Sequence, residues 1–125
     1  MIDLDEVIKI HEKLIEEFGG AQGLRNKGLL ESALESPFQT FGGKELLPTP
    51  EEKAAALLEN LVKNHPFVDG NKRIGYTVFR LFLMAHGKDI EAPEAEKYAF
   101  VIDIASGKLV FEEILTWAKN HLKDL

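Results

Sequence analysis

The stretch "NHPFVDGNKRIG", residues 64–75, gathers the side chains of this chain that could do chemistry. His65 precedes Asp69 by one helical turn's worth of sequence, and Gly70, Asn71, Lys72 and Arg73 follow without a break. An imidazole is the usual group for taking a proton from a hydroxyl near neutral pH. Asp69 can ligate Mg²⁺, which favours one or two carboxylates together with substrate phosphates. Gly70 permits a tight turn and close approach of a ligand to the backbone. Asn71 can cap a following helix or donate to an oxygen, while Lys72 and Arg73 supply a point charge and a planar fork for phosphate oxygens. A helix beginning just after Gly70 adds unpaired N–H groups and the positive end of its dipole. Gly75, in its first turn, leaves room beside a ligand. Base, metal ligand and phosphate clamp together describe phosphoryl or nucleotidyl transfer.

The same residues also suit a plain interhelical turn, with Asp69 and Asn71 as ordinary caps and Lys72 and Arg73 solvated. It is not a P-loop, because the spacing Gly-x-x-x-x-Gly-Lys-Ser/Thr is missing. His65 and Asp69 are too few ligands for a structural zinc site. His11, His86 and His121 fall on or beside predicted helices and are expected at the surface or as caps. Arg80 lies nearly on the face of Arg73; it reads as a buried ion-pair partner or as a support for the loop, and the sequence does not choose.

The elements that must position these residues are helical nearly throughout. Leu4, Val7, Ile8, His11, Leu14, Ile15 and Phe18 define one face of a first helix, which Gly19 and Gly20 stop. Leu29, Leu30, Ala33 and Leu34 mark a short second helix closed by Pro37, and "FQTFGGKELLP" reads as a loop or small hairpin. Thr49, Pro50 and Glu52 announce a third helix by N-cap, first-position proline and capping box. Pro66 ends it near Asn64. The fourth, from Asn71 or Lys72 to His86, carries the longest apolar run and is expected to be the buried central helix. Lys88–Glu91 is a connector that can be briefly extended. A fifth helix covers about Glu94 to Ala105, and a sixth about Val110 to Leu122. Phe67 is expected to point away from the cradle and anchor the loop in the core.

The 125 residues suit a single all-α domain, 1–125, without linker or repeat. Composition is that of a folded soluble chain, 45% hydrophobic and 29% charged. No apolar run approaches the roughly 18 residues of a membrane span, and the acidic start "MIDLDEVIKI" is not expected to be a signal peptide. The absence of cysteine excludes disulfides and thiolate metal sites and fits a cytoplasmic location. A net charge of -6 argues against direct nucleic-acid binding. Residues 61–90 nevertheless hold Lys63, Lys72, Arg73, Arg80 and Lys88 against Asp69 and Asp89. That local positive excess suits a compact anion such as a nucleotide phosphate.

"HPFVDGNKR" closely resembles the signature of the death-on-curing (Doc) toxins of the Fic fold, His-x-Phe-x-Asp-(Ala/Gly)-Asn-Lys-Arg. The resemblance extends to "GLRNKGLLESALESPFQTFGG", similar to the family's second helix and flap, and to "EKAAALLENLVKNHPF", similar to its lead-in helix. It implies a six-helix Fic/Doc domain. It also implies His65 as catalytic base, Asp69 as metal-associated acid, and Gly70, Asn71, Lys72 and Arg73 as the phosphate-binding turn, with ATP and Mg²⁺ as cofactors. Most Fic proteins have Gly where this chain has Lys72, and a second Arg where it has Tyr76; those transfer AMP. Doc toxins, with Lys there, transfer the γ-phosphate of ATP to a threonine of elongation factor Tu and halt translation. The resemblance therefore implies a toxin-type protein phosphotransferase. An AMP transferase and an idle Fic-fold binding module remain as alternatives. No segment fits the inhibitory pattern Ser/Thr-x-x-x-Glu-Gly/Asn. Restraint is expected from a separate antitoxin, seated in a groove beside the flap at about Phe38–Leu47.

Overall fold

The computed structural model describes residues 2–125. Among them are six α-helices and two small antiparallel sheets, an all-α architecture as expected. Helix α1 (Leu4–Phe18) is capped by the Asp3 carboxylate and ends at Gly19, whose φ is 87°. Helix α2 (Lys27–Glu35) starts at Asn26, which accepts from the Leu29 N–H, and runs into a 3₁₀ turn at Ser36–Phe38. Strands β1 (Thr40–Phe41) and β2 (Lys44–Glu45) pair across Gly42 and Gly43, forming the expected small hairpin. Helix α3 (Pro50–Asn64) begins at Thr49, whose hydroxyl accepts from the Glu52 N–H and donates to the Glu52 carboxylate. Helix α4 (Asn71–Ala85), strand β3 (Lys88–Ile90), helix α5 (Glu94–Ala105), helix α6 (Phe111–Asn120) and strand β4 (Leu122–Asp124) complete the chain.

Two expectations about helix placement need correction. The central helix is α3, not α4: every residue from Lys53 to Leu58 is buried, and α3 packs against α2, α4, α5 and α6. Ala54, Ala55 and Ala56 let neighbouring helices close in on several sides, since interaxial distance is set by the side chains at the contact. Helix α4 keeps a solvent side of Lys72, Arg73, Arg80, Leu81 and Met84 despite its apolar run. The sixth helix stops at Asn120, with His121 as its C-cap. Leu122 then pairs with Ile90, giving the β3–β4 ribbon.

The α3–α4 crossing explains Gly75. A Cβ there would lie 2.8 Å from Val62 Cγ2 and 3.4 Å from Leu61 Cβ, so the glycine allows the two helices to touch. It faces α3, not the ligand side. At its far end α4 is tied to β3 by Arg80, whose Nε and Nη2 donate to Asp89 at 2.8 and 2.9 Å. Asp89 is the buried partner and Arg80 the exposed one. The Arg80 hydrogen bonds hold the Asp89 carboxyl down at about 2, against the cost of its burial.

Candidate active site

The α3–α4 loop begins with a strained residue. His65 has φ 48° and ψ 56°, the one positive φ outside glycine among the described residues. Such a conformation persists only where the surroundings hold it. Arg25 supplies much of that hold: its Nε donates to the His65 carbonyl at 2.7 Å and its Nη2 to the Asn64 carbonyl at 3.1 Å. The N–H groups of Arg25 and Asn26 both reach the Pro66 carbonyl, and the Val68 N–H reaches Gly23. Residues 23–26 thus run alongside the loop as a brace.

Inside the loop, Phe67 is 2% exposed and stacks on His11 with ring centroids 3.8 Å apart. It is the expected anchor. His11 departs from expectation, being buried rather than a surface or cap residue. The Asn71 side chain also turns inward. Its Oδ1 accepts from the Phe67 N–H and its Nδ2 donates to the Phe67 carbonyl, each at 3.0 Å. The same Nδ2 lies 3.3 Å from His65 Nδ1. Both Asn71 atoms are assigned by their backbone partners, so the amide donates to Nδ1, and the neutral His65 ring carries its proton on Nε2. Asn71 therefore fixes the histidine, leaving only its backbone N–H for an anion.

Asp69 and Gly70 make the corner before α4. The Asp69 carboxylate accepts from the Ala21 N–H at 3.1 Å and the Gly70 N–H at 2.8 Å. These two bonds, with the nearby charge of Lys72, hold its pKa below the ordinary value. Gly70 is the N-cap of α4, at φ 75°, and no side chain caps the helix. The N–H groups of Asn71, Lys72 and Arg73 have no partner among the described residues, whereas the Ile74 N–H returns to the Gly70 carbonyl. The Lys72 and Arg73 side chains are exposed, and the Arg73 guanidinium sits 4.4 Å above the ring of Phe18. Phe18, the last residue on the apolar face of α1, is 60% exposed.

These residues line one side of a cleft of about 630 Å³, within the range of small-ligand sites. It brings together His65, Asp69, Gly70, Asn71, Lys72 and Arg73, all six residues singled out in the sequence. Its other wall comes from α5, through Glu94, Lys97, Tyr98, Val101 and Ile102. Tyr76 lines the floor with a buried hydroxyl that has no hydrogen-bond partner, and burial pushes its pKa up to about 12. It remains a neutral phenol.

The Fic/DOC family model matches residues 1–83. The chain belongs to the Fic/DOC family. It is also similar to Toxin Doc of Mycolicibacterium smegmatis (strain ATCC 700084 / mc(2)155), 41% identical over 75 residues. That match covers 60% of this chain and 58% of the relative, so a little over half of the relative's length is spanned.

In this Fic/DOC protein the loop and the first turn of α4 fall inside the family match, and the α5 wall of the cleft falls outside it. Three parts of the site escaped the sequence reading. Arg25 acts across 40 positions, His11 across 58, and the α5 residues arrive by packing alone. The only local signal for Arg25 lay in its run "GLRN", which the resemblance covered without assigning it a role. No group of three or more His, Cys, Asp and Glu able to hold a metal exists among the described residues. Asp69 is the carboxylate on the loop side of the cleft, across from Glu94 on the α5 wall, and such a sparse donor set suits Mg²⁺ held mainly by phosphate oxygens and water. No helix among the described residues is long and apolar enough to cross a membrane.

Proposed function

We propose that this protein transfers the γ-phosphate of ATP to a hydroxyl of a protein substrate, a threonine of elongation factor Tu, and acts as the toxin of a toxin–antitoxin pair. The observation that carries the reading is the convergence in one cleft of His65, Asp69 and an uncapped helix N-terminus flanked by Lys72 and Arg73. ATP with Mg²⁺ supplies the transferable phosphoryl group and the cation that neutralises its oxygens. Asp69 is the residue that would hold the metal. The free N–H groups of residues 71–73, with Lys72 and Arg73, bind phosphate oxygens and orient them. His65 takes the proton of the substrate hydroxyl, which requires its Nε2 lone pair. The ring must therefore carry its own proton on Nδ1 at that moment, opening the long 3.3 Å contact with Asn71.

Two residues favour γ-phosphate transfer over AMP transfer. Lys72 stands in the turn where AMP-transferring relatives of the fold have Gly. Tyr76, a neutral phenol with a buried hydroxyl, stands where they have a second Arg, so the positive charge such an Arg would bring is missing. Control is assigned to an antitoxin segment docking beside the hairpin, where Phe41 and Leu46 are exposed; Leu81 and Met84 of α4 are exposed as well. The toxin reading is supported by the likeness to Toxin Doc.

The deciding experiment incubates the protein and elongation factor Tu with ATP labelled separately at the α- and γ-phosphates. Label from the γ position alone is expected on the factor. Label from the α position makes the protein an AMP transferase. No transfer of either, with ATP bound, makes it an idle binding module.

A further inference from the structure

We propose that His11 is a positioning residue for the anion turn: by holding the Asp69 carbonyl it keeps the Arg73 N–H free to bind phosphate. His11 is 2% exposed on α1, and its Nε2 lies 2.7 Å from the Asp69 carbonyl oxygen. A carbonyl can only accept, so Nε2 carries the proton and donates. That carbonyl stands four residues before Arg73, the place from which it would accept the Arg73 N–H if α4 began one residue earlier. The helical ladder instead starts with Ile74 on Gly70, at 3.0 Å. His11 holds that carbonyl through one lone pair, and the Arg73 N–H does not bond to it.

The ring cannot drift from this task. It stacks on Phe67 at 10° between planes, and Phe67 is itself held at both backbone groups by Asn71. The glycine at the corner rests on the same surface: a Cβ at Gly70 would lie 3.0 Å from Ile15 Cδ1 and 3.4 Å from His11 Nε2. His11 does not line the cleft that holds His65 and Arg73. It therefore acts through the Asp69–Gly70 peptide and touches no reacting atom.

This inference rests on reading the cleft as the Mg²⁺·ATP site, and its test separates the two. The wild-type protein, uniformly ¹⁵N-labelled, is expected to show His11 as the Nε2–H tautomer and the Arg73 amide in fast hydrogen exchange without ligand. His11→Leu keeps the volume and removes the donor; His11→Gln restores an N–H donor at the end of a side chain of similar reach. In His11→Leu the Arg73 amide is expected to become protected as it caps onto Asp69, and Mg²⁺·ATP affinity by calorimetry to fall roughly ten- to hundredfold, the worth of one hydrogen bond to a charged group. His11→Gln should recover most of both. An Nδ1–H tautomer in the wild type, an Arg73 amide already protected there, or a folded His11→Leu with unchanged Arg73 exchange overturns the proposal. Equal impairment by Leu and Gln overturns it as well. If His11→Leu does not fold, the wild-type tautomer and exchange decide. Failure of the wild type to bind Mg²⁺·ATP overturns the nucleotide reading, and the Arg73 exchange still judges His11.

Discussion

The two ends of α3 are served by opposite kinds of connection. The loop that leaves it, residues 65–70, is bound from four directions: Arg25 on its carbonyls, Asn71 on Phe67, His11 on Asp69, and the Ala21 N–H on the Asp69 carboxylate. The hairpin that enters it, residues 40–45, is held by its own two rungs, a Leu46 N–H to Gln39 bond, and the Lys53 ammonium on the following Leu47 carbonyl and on Glu45. It leaves Phe41 81% exposed. Reaction chemistry depends on groups fixed in a productive geometry, which only a braced segment provides. A loosely held segment that exposes apolar side chains suits partner contact instead. The contrast predicts that substitutions in the loop and its braces damage chemistry, while those in the hairpin leave both chemistry and stability intact.

The largest effect is expected at His65. On the proposed function His65→Ala removes the general base and should lower turnover about 10²–10⁴-fold, while Mg²⁺·ATP affinity by calorimetry stays near wild type. Arg73→Ala should weaken nucleotide binding and turnover together. Loss of ATP binding in His65→Ala, with normal turnover per bound nucleotide, would reverse the two assignments.

Arg25→Ala tests the brace without touching the cleft's charges. Two bonds from one guanidinium to the carbonyls of Asn64 and His65 disappear. A loss of about 1–3 kcal/mol in unfolding free energy is expected. Turnover per folded molecule should also fall, because His65 is then free to leave its left-handed conformation. A stability loss with unchanged turnover would mean that the His65 conformation is held without Arg25.

How much of this was legible beforehand follows from sequence distance. The loop was readable because its turn former, charges and helix start are neighbours in the chain, and residues 64–75 sit together in space as they do in sequence. The brace was not, since Arg25 and His11 gain their roles only when α1 and the segment after it pack beside the loop. Helix periodicity placed His11 on the buried face of α1, yet general preference for surface histidines argued the other way; burial is satisfied here by the Asp69 carbonyl and the Phe67 ring. Apolar count misplaced the central helix because Leu81 and Met84 are spent on the surface, and the quiet Ala54–Ala56 run is what the neighbouring helices converge on. The inward-turned Asn71 had the same limitation: a cap residue and a loop staple look alike in sequence.

The Arg80–Asp89 pair on α4 serves as a control that is rigid but stands outside the loop that carries the chemistry. Asp89 keeps a folded-state pKa near 2, below its ordinary carboxylate value, because Arg80 donates to it twice. A depressed pKa contributes stability that is complete above the unfolded value and is lost as pH falls through the folded one. The stability gap between wild type and Asp89→Asn should therefore be constant at neutral pH and shrink from about pH 4 toward pH 2, read by urea unfolding at each pH. Turnover per folded molecule should not change. A matching drop in turnover would show that the ends of α4 are coupled and that bracing at the loop alone is insufficient.

A smaller effect is expected where an aromatic ring steadies a charge. Phe18→Leu removes the face beneath the Arg73 guanidinium, a contact worth about 0.5–1 kcal/mol at an exposed site. The Michaelis constant for ATP should rise about two- to fivefold by the same magnitude, with Phe18→Tyr restoring it. Unchanged kinetics in both variants would leave Arg73 independent of α1.

The smallest effect is reserved for the hairpin, and it is the one that most sharply separates the two connections. Phe41 buries little, so replacing it removes little apolar area from any packed contact. Phe41→Ser should move unfolding free energy by no more than about 0.5 kcal/mol, the usual range for a surface site, and leave Mg²⁺·ATP affinity as it was. The same variant should weaken binding of the proposed antitoxin segment, because an exposed aromatic is a common anchor of a docking surface. A stability loss of several kcal/mol would show instead that the ring is packed in solution, and the hairpin would then belong with the loop as a braced element. Intact stability with undiminished antitoxin binding would keep the hairpin loose and move the docking surface elsewhere, with the exposed Leu81 and Met84 of α4 the next residues to substitute.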